Sequence, residues 1–265
     1  MHDSALAGCY VISLRPAGQH AALRRAAAAR GARLLALSPW RIAINEDAAT
    51  RDRVRDALAC GTVITTSPNA VSAAAALRPL CARGEPQWLA VGEGTAHALA
   101  RAGIARAAVP ARMDSEGLLA LPALQDLRDR DVGLLTAPGG RGLIEAELQR
   151  RGARVVRADV YARVPITIPD RSIAALRRLG AQAWLALSSG EALACVLAQL
   201  PADAAATLRR ARVAAASARL ADVARGHGFG EVVLAGSARP RDLVAAMADE
   251  ASASMRGIAS PGPIP

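Results

Sequence analysis

The sequence predicts an α/β fold made of two similar parallel-sheet lobes, and two observations carry that prediction. An apolar run of strand length, a turn of small residues and an alanine, leucine and arginine segment of helical length recur six times, the alternation that a parallel sheet with covering helices produces. The six units are of three kinds, and each kind appears twice at a spacing of about 121 to 125 residues, so the chain repeats itself internally.

Taken in order, the first unit is Tyr10–Leu37, YVISLRPAGQHAALRRAAAARGARLLAL. An apolar strand meets an x-Pro-x-Gly turn, a helix follows, and Arg-Gly-Ala-Arg ends it before a second strand. Gly31 fits the position just past the helix, where positive φ favours glycine. Ser38–Ile44 (SPWRIAI) alternates through Ile42 and Ile44 and predicts a β segment. The second unit, Thr62–Leu77, runs a buried strand into Ser/Thr at a helix start. The third, Trp88–Ile104, passes from strand through Gly-Glu-Gly-Thr into an alanine-rich helix.

The first kind then returns at Val132–Asp159, with Gly152 in the place of Gly31, and a second β-prone segment follows at Tyr161–Ile168 (YARVPITI). Ala183–Leu200 repeats the second kind, with Ser188 corresponding to Ser67, and Arg212–Phe229 repeats the third more loosely. If both β-prone segments are crossings, residues 1–38 and 168–250 form one discontinuous lobe and 45–160 an inserted one. Residues 39–44 and 161–167 are then linker strands, with a cleft between the lobes. Residues 251–265, rich in proline at their end, are expected to be a disordered tail.

Composition excludes several chemistries. Every one of the 33 basic residues is arginine, so lysine Schiff bases and a Walker-type phosphate loop are absent. Four scattered histidines give no metal-ligand spacing, with His20 and His97 expected on helix surfaces, and the four cysteines show no close pairing. No metal or cofactor is expected. The 21 uncharged positions of Ala57–Leu77 are broken by Gly61, Pro68 and polar residues, so no membrane span is expected, and the N-terminus lacks a signal-peptide pattern, which points to the cytoplasm.

The net charge of +10 is uneven. Residues 41–160 hold 16 arginines against 14 acids, whereas the two flanking stretches hold 17 against 9. A polyanionic small molecule suits that asymmetry better than nucleic acid, because the basic residues lack interleaved aromatics.

The candidate site residues lie in six turns where backbone N–H groups would be free at a helix start: Arg15–Gly18, Thr66–Asn69, Gly92–Thr95, Pro138–Arg141, Ser188–Gly190 and Ala216–Arg219. Such ends attract carboxylates and phosphates. Tyr161 opens the second crossing segment, at the floor of the expected cleft, where a phenol can give a proton to a leaving hydroxyl.

LRPAGQ, TTSPNAV (Thr65–Val71), AVGEGTAHALARAGI (Ala90–Ile104), SEGLL (Ser115–Leu119), GARVVRADVYAR ending at Arg163, and SSGEAL (Ser188–Leu193) together resemble the uroporphyrinogen-III synthase family across roughly residues 8 to 248. The resemblance implies two flavodoxin-like lobes and a carbon-oxygen lyase that needs no cofactor. Such an enzyme closes the linear tetrapyrrole hydroxymethylbilane while inverting its last ring. It further implies that Tyr161 assists departure of the hydroxyl and that Thr66, Ser67, Asn69, Gly92, Thr95 and Ser188 face the cleft. Gly139, Gly140, Ser189 and Ser217 belong to the same turns, and Arg15 and Arg141 are expected to hold carboxylates, at on the order of 1 kcal/mol each. Ala215–Leu220 departs from the family's usual Gly-x-x-Thr-Ala turn, with Ser217 standing where the threonine would be. A monomer is expected. The alternative is a non-catalytic bilobed cytoplasmic protein that binds a polyanionic small molecule.

Overall fold

The computed structural model of the 265-residue chain describes residues 5–80, 86–139, 142–180 and 182–258, the last four by backbone alone. Its contacts divide the chain into two compact units, Met1–Arg41 with Val164–Pro265, and Ile42–Arg163. The chain begins with β1 (Tyr10–Ser13), α1 (Ala21–Ala28) and β2 (Arg33–Ala36), and leaves the first unit through β3 (Trp40–Ile44). The second unit runs α2 (Ala48–Leu58), β4 (Thr62–Thr65), α3 (Pro68–Leu77), β5 (Gln87–Ala90), α4 (Glu93–Arg101), α5 (Ser115–Leu119), β6 (Asp131–Thr136), α6 (Leu143–Arg150) and β7 (Arg154–Asp159). After β8 (Tyr161–Pro165), the first unit resumes with α7 (Asp170–Arg177), β9 (Ala183–Leu187), α8 (Gly190–Gln199), α9 (Ala202–Arg209), β10 (Arg212–Ala215), α10 (Ala218–Gly226), β11 (Val232–Leu234) and α11 (Pro240–Ile258).

The first unit holds a five-stranded sheet ordered β2-β1-β9-β10-β11, the doubly wound order of flavodoxin-like folds. The second holds a four-stranded sheet ordered β7-β6-β4-β5, and β3 pairs with β8. Both large sheets are parallel: Val11 sits between Leu34 and Trp184 in one, and Ile64 between Leu89 and Leu134 in the other. Parallel strands are covered on both faces, which is why β9 reads Ala-Trp-Leu-Ala-Leu with every residue buried. The strand of the first repeat kind (β1, β6) neighbours that of the second (β9, β4), which neighbours that of the third (β10, β5). The two sheets therefore share one order.

Gly31 and Gly152 adopt φ +83° and +86° as the repeat predicts, and their N–H groups bond the carbonyls of Ala28 and Gln149 at the ends of α1 and α6. Gly133 serves a different need. A Cβ there would lie 2.1 Å from the Ala57 carbonyl oxygen, so the missing side chain lets α2 press directly onto β6.

Three expectations are corrected. Residues 251–258 continue α11 rather than forming a disordered tail; Leu243, Val244, Met247, Ala248 and Ala251 make a buried stripe at helical spacing. Of that stretch, residues 259–265, which carry its three prolines, lie outside the described residues. The turn Arg15–Gly18 is not a helix start. Its Ala17 N–H bonds the Trp40 carbonyl, Gln19 N–H bonds Pro16, and α1 begins only after His20. Likewise α6 begins at Leu143 behind Gly142, so Pro138–Arg141 precedes the helix by more than the sequence suggests.

Candidate active site

In the second unit, β4 connects through α3 to β5 on one side, and β6 connects through α6 to β7 on the other. The carboxyl ends of β4 and β6 thus flank the point where the winding reverses, the usual ligand crevice of an open parallel sheet. A cavity of about 340 Å³ lies there. Thr66 and Thr136 follow or end these two strands, and their hydroxyls meet at 3.0 Å. Beside them Ser67 caps α3: its Oγ accepts the Ala70 N–H at 3.1 Å and lies 3.2 Å from the Tyr161 hydroxyl. Tyr161 is only 4% exposed and packs in the apolar core of this unit, so its ring is held and its oxygen reaches the cavity wall.

The far wall carries charge. Arg157 on β7 bonds Asp159 through Nε at 3.0 Å and Nη2 at 2.9 Å, bonds Glu145 of α6 through Nη1 at 2.6 Å, and donates to the Ala137 carbonyl. Asp159 first and Glu145 second hold this guanidinium above its ordinary range. Glu145 stands in the first turn of α6. Arg163, two residues beyond Tyr161 on β8, completes the lining together with Ser115, Gly139 and Gly142. Among the described residues, no group of His, Cys, Asp and Glu could hold a metal ion.

The family model for uroporphyrinogen-III synthase HemD matches residues 21–245, most of the sequence. The chain belongs to the uroporphyrinogen-III synthase family. It is therefore an enzyme of porphyrin biosynthesis that acts on a tetrapyrrole. Its fold is similar to that of a substituted uroporphyrinogen III synthase from the extremely thermophilic bacterium Thermus thermophilus, with TM-score 0.62 and 20% identity over 94% of this chain and 100% of that one. It is also similar to uroporphyrinogen-III synthetase from Helicobacter pylori 26695, with TM-score 0.57 and 15% identity over 93% and 99% of the two chains.

Of the residues that resemblance to this synthase family selects, Tyr161, Thr66, Ser67 and Gly139 come together at one cavity. Asn69, Gly92 and Thr95 belong to the same unit but not to this lining; Gly92 caps α4, and Thr95 is buried in its first turn. Gly140 and Arg141 lie outside the described residues. Arg15, Ser188, Ser189 and Ser217 belong to the other unit. There Arg15 and Ser188 follow β1 and β9, which flank that sheet's own reversal point. Arg15 donates to the Ala238 carbonyl at 3.2 Å, while Ser189 and Ser217 accept N–H bonds from Ala192 and Leu220 as helix caps.

Thr136, Glu145, Arg157 and Arg163 were not singled out by sequence. The signal for Thr136 was present: it aligns with Leu14 in the repeat, a hydroxyl where the other copy has a buried leucine. His20 also departs from expectation. It is not on a helix surface but buried, with Nδ1 2.9 Å from Ser13 Oγ and Nε2 2.8 Å from Ser38 Oγ. Burial, then the charges of Arg24 and Arg15, push its pKa down, so the neutral ring gives one hydrogen bond and accepts the other.

Proposed function

We propose that the chain is a hydro-lyase that closes hydroxymethylbilane to uroporphyrinogen III with inversion of ring D, and that Tyr161 is its proton donor. The observation that carries this reading is the Ser67–Tyr161 hydroxyl pair at the reversal point of the second sheet. Ser67 Oγ accepts the α3 N–H and, in this reading, gives its own hydrogen to the phenol oxygen. The Tyr161 hydrogen is then free to point into the cavity.

In this reading the phenol proton passes to the leaving hydroxyl of the substrate, the carbon–oxygen bond breaks, and water departs. The resulting azafulvene cation is stabilised by the pyrroles themselves, so the protein supplies no electron sink. Attack by the substituted carbon of ring D gives a spiro intermediate; its fragmentation and reclosure invert that ring, and the last proton lost restores the phenol. The protein's further task is to hold the chain ends together, and positioning of this kind supplies most of the selectivity. The absence of lysine costs such a reaction nothing.

The protein is proposed to act in the cytoplasm as a monomer, without a cofactor or nucleic acid; among the described residues no helix is long and apolar enough to cross a membrane. The test is conversion of hydroxymethylbilane by the purified chain, with type I and type III products separated after oxidation. Type III without any added cofactor is expected. Type I alone, the spontaneous product, would overturn the reading.

A further inference from the structure

A carboxylate lines the same cavity as the phenol. Glu145 and Tyr161 face one space of about 340 Å³, together with Thr66 and Thr136. Glu145 Oε2 accepts a hydrogen bond from Arg157 Nη1 at 2.6 Å, and among the described residues Oε1 has no partner. Arg157 does not neutralise this carboxylate fully, because the same guanidinium also answers Asp159 at 2.9 Å. Arg163, the other charged residue of the described lining, has an interaction of its own within the protein.

Such a wall discriminates among the groups of the proposed substrate. Its carboxylates are repelled by Glu145, whereas a pyrrole N–H, a donor only like the indole of tryptophan, suits an acceptor oxygen. The ring itself suits the apolar Leu134, Pro138, Leu143 and Ile144 of the same lining. The demand then changes during the reaction. As the phenol proton passes to the leaving hydroxyl, the carbon–oxygen bonding pair departs with water. The positive charge left on the methylene carbon is shared with the nitrogen of its ring. That N–H becomes a charged donor, and its attraction to a carboxylate grows. An acceptor already fixed in place therefore favours the cation over the alcohol from which it forms, which lowers the barrier rather than tightening binding.

We propose that Glu145 accepts the N–H of the pyrrole that loses the hydroxyl and stabilises the azafulvene cation, and that Arg157 is a positioning residue that holds Glu145 in place. The proposal rests on the synthase reading and deepens it. Glu145 takes no proton and no electrons in this step. The N–H stays on the ring, and the charge leaves it when the ring D carbon supplies the electron pair for the new carbon–carbon bond. Arg157 suits the holding role because each of its three nitrogens is engaged: Nε by Asp159, Nη1 by Glu145 and Nη2 by the Ala137 carbonyl.

The test measures kcat and KM with hydroxymethylbilane in full-length variants, beside urea unfolding of each. Glu145→Gln, of the same shape without the charge, is expected to lower kcat about thirtyfold while KM stays within about threefold. Glu145→Asp, which keeps the charge, should recover part of the loss. Arg157→Gln should lower kcat about tenfold, and adding it to Glu145→Gln should cost little more, because both act through one carboxylate. Glu145→Met takes the place of Glu145→Gln if the latter does not fold. If Glu145→Gln keeps kcat within about twofold while the unchanged protein makes type III, the inference falls and the synthase reading stands. A fall in kcat matched by an equal rise in KM also overturns the inference, since a wall that has merely come loose does that. Type I alone from the unchanged protein overturns the synthase reading and the inference with it.

Discussion

The hydroxyls of Ser67 and Tyr161 lie 3.2 Å apart although 94 residues separate them in the chain. One caps the helix after β4 and the other opens the strand that leaves the second unit. Removing the phenol oxygen alone tests its chemical role, because the ring packing is kept. Tyr161→Phe is expected to lower kcat by about tenfold to a hundredfold without abolishing it, a loss at or below the usual range for a general acid. Ser67→Ala should lower kcat less and also weaken the cap of α3, by about 1 kcal/mol. Steady-state kinetics beside urea unfolding separates the two effects; an unchanged rate for Tyr161→Phe would remove its acid role.

Gly133 faces the Ala57 carbonyl with no space for a methyl group. Both sides of that contact are backbone, so neither can rotate away. Gly133→Ala should destabilise the protein by at least about 2 kcal/mol through forced separation of α2 and β6. Urea denaturation measures this, and a loss below about 0.5 kcal/mol would mean that the helix shifts freely.

The His20 bridge makes stability depend on pH in a definite direction. Its folded pKa lies below the ordinary 6.5, so as pH falls the unfolded chain takes up the proton first. The contribution of the neutral ring is complete above about pH 6.5 and is lost as pH falls toward the lowered value. The urea midpoint of the native protein should therefore drop between pH 7 and pH 5 more steeply than that of His20→Gln. Parallel slopes for the two proteins would contradict this.

Thr65 Oγ1 is buried without a hydrogen-bond partner at the end of β4. Valine has the same shape and no hydroxyl to desolvate. Thr65→Val is expected to raise stability by about 1 kcal/mol, seen as a higher Tm. A lower Tm would show that the hydroxyl is satisfied in solution, by a water for example.

The strands were legible because parallel strands buried on both faces are written as unbroken apolar runs such as Trp184–Leu187. Gly31 and Gly152 marked helix ends because few other residues accept their φ. The site was legible only in part. Ser67 and Tyr161 stand in recognisable segments, but Arg157 meets Glu145 and Ala137 only after β7 lies against β6, and no local pattern announces that. The turn at Arg15 read as a helix start because Pro and Gly mark the end of a strand equally well; its Ala17 N–H is in fact spent on the Trp40 carbonyl, and the Gln19 N–H just after it on that of Pro16. His20 looked like a surface residue because the serines that enclose it come from the end of β1 and the approach to β3.

The shared order of the two sheets has a consequence for how such a chain assembles. Were each tandem copy to fold on itself, β1 would lie against β4, and β6 against β9; instead β1 lies against β9 and β6 against β4. The copies have traded their opening strand–helix–strand segments, as two subunits do in a swapped dimer, but within one polypeptide. Neither half of the sequence therefore contains a complete sheet. β1 can pair with β2 early, but a ribosome must deliver β9 before β1 has its second neighbour, so the amino-terminal segment waits through most of synthesis for the partner that covers its open edge.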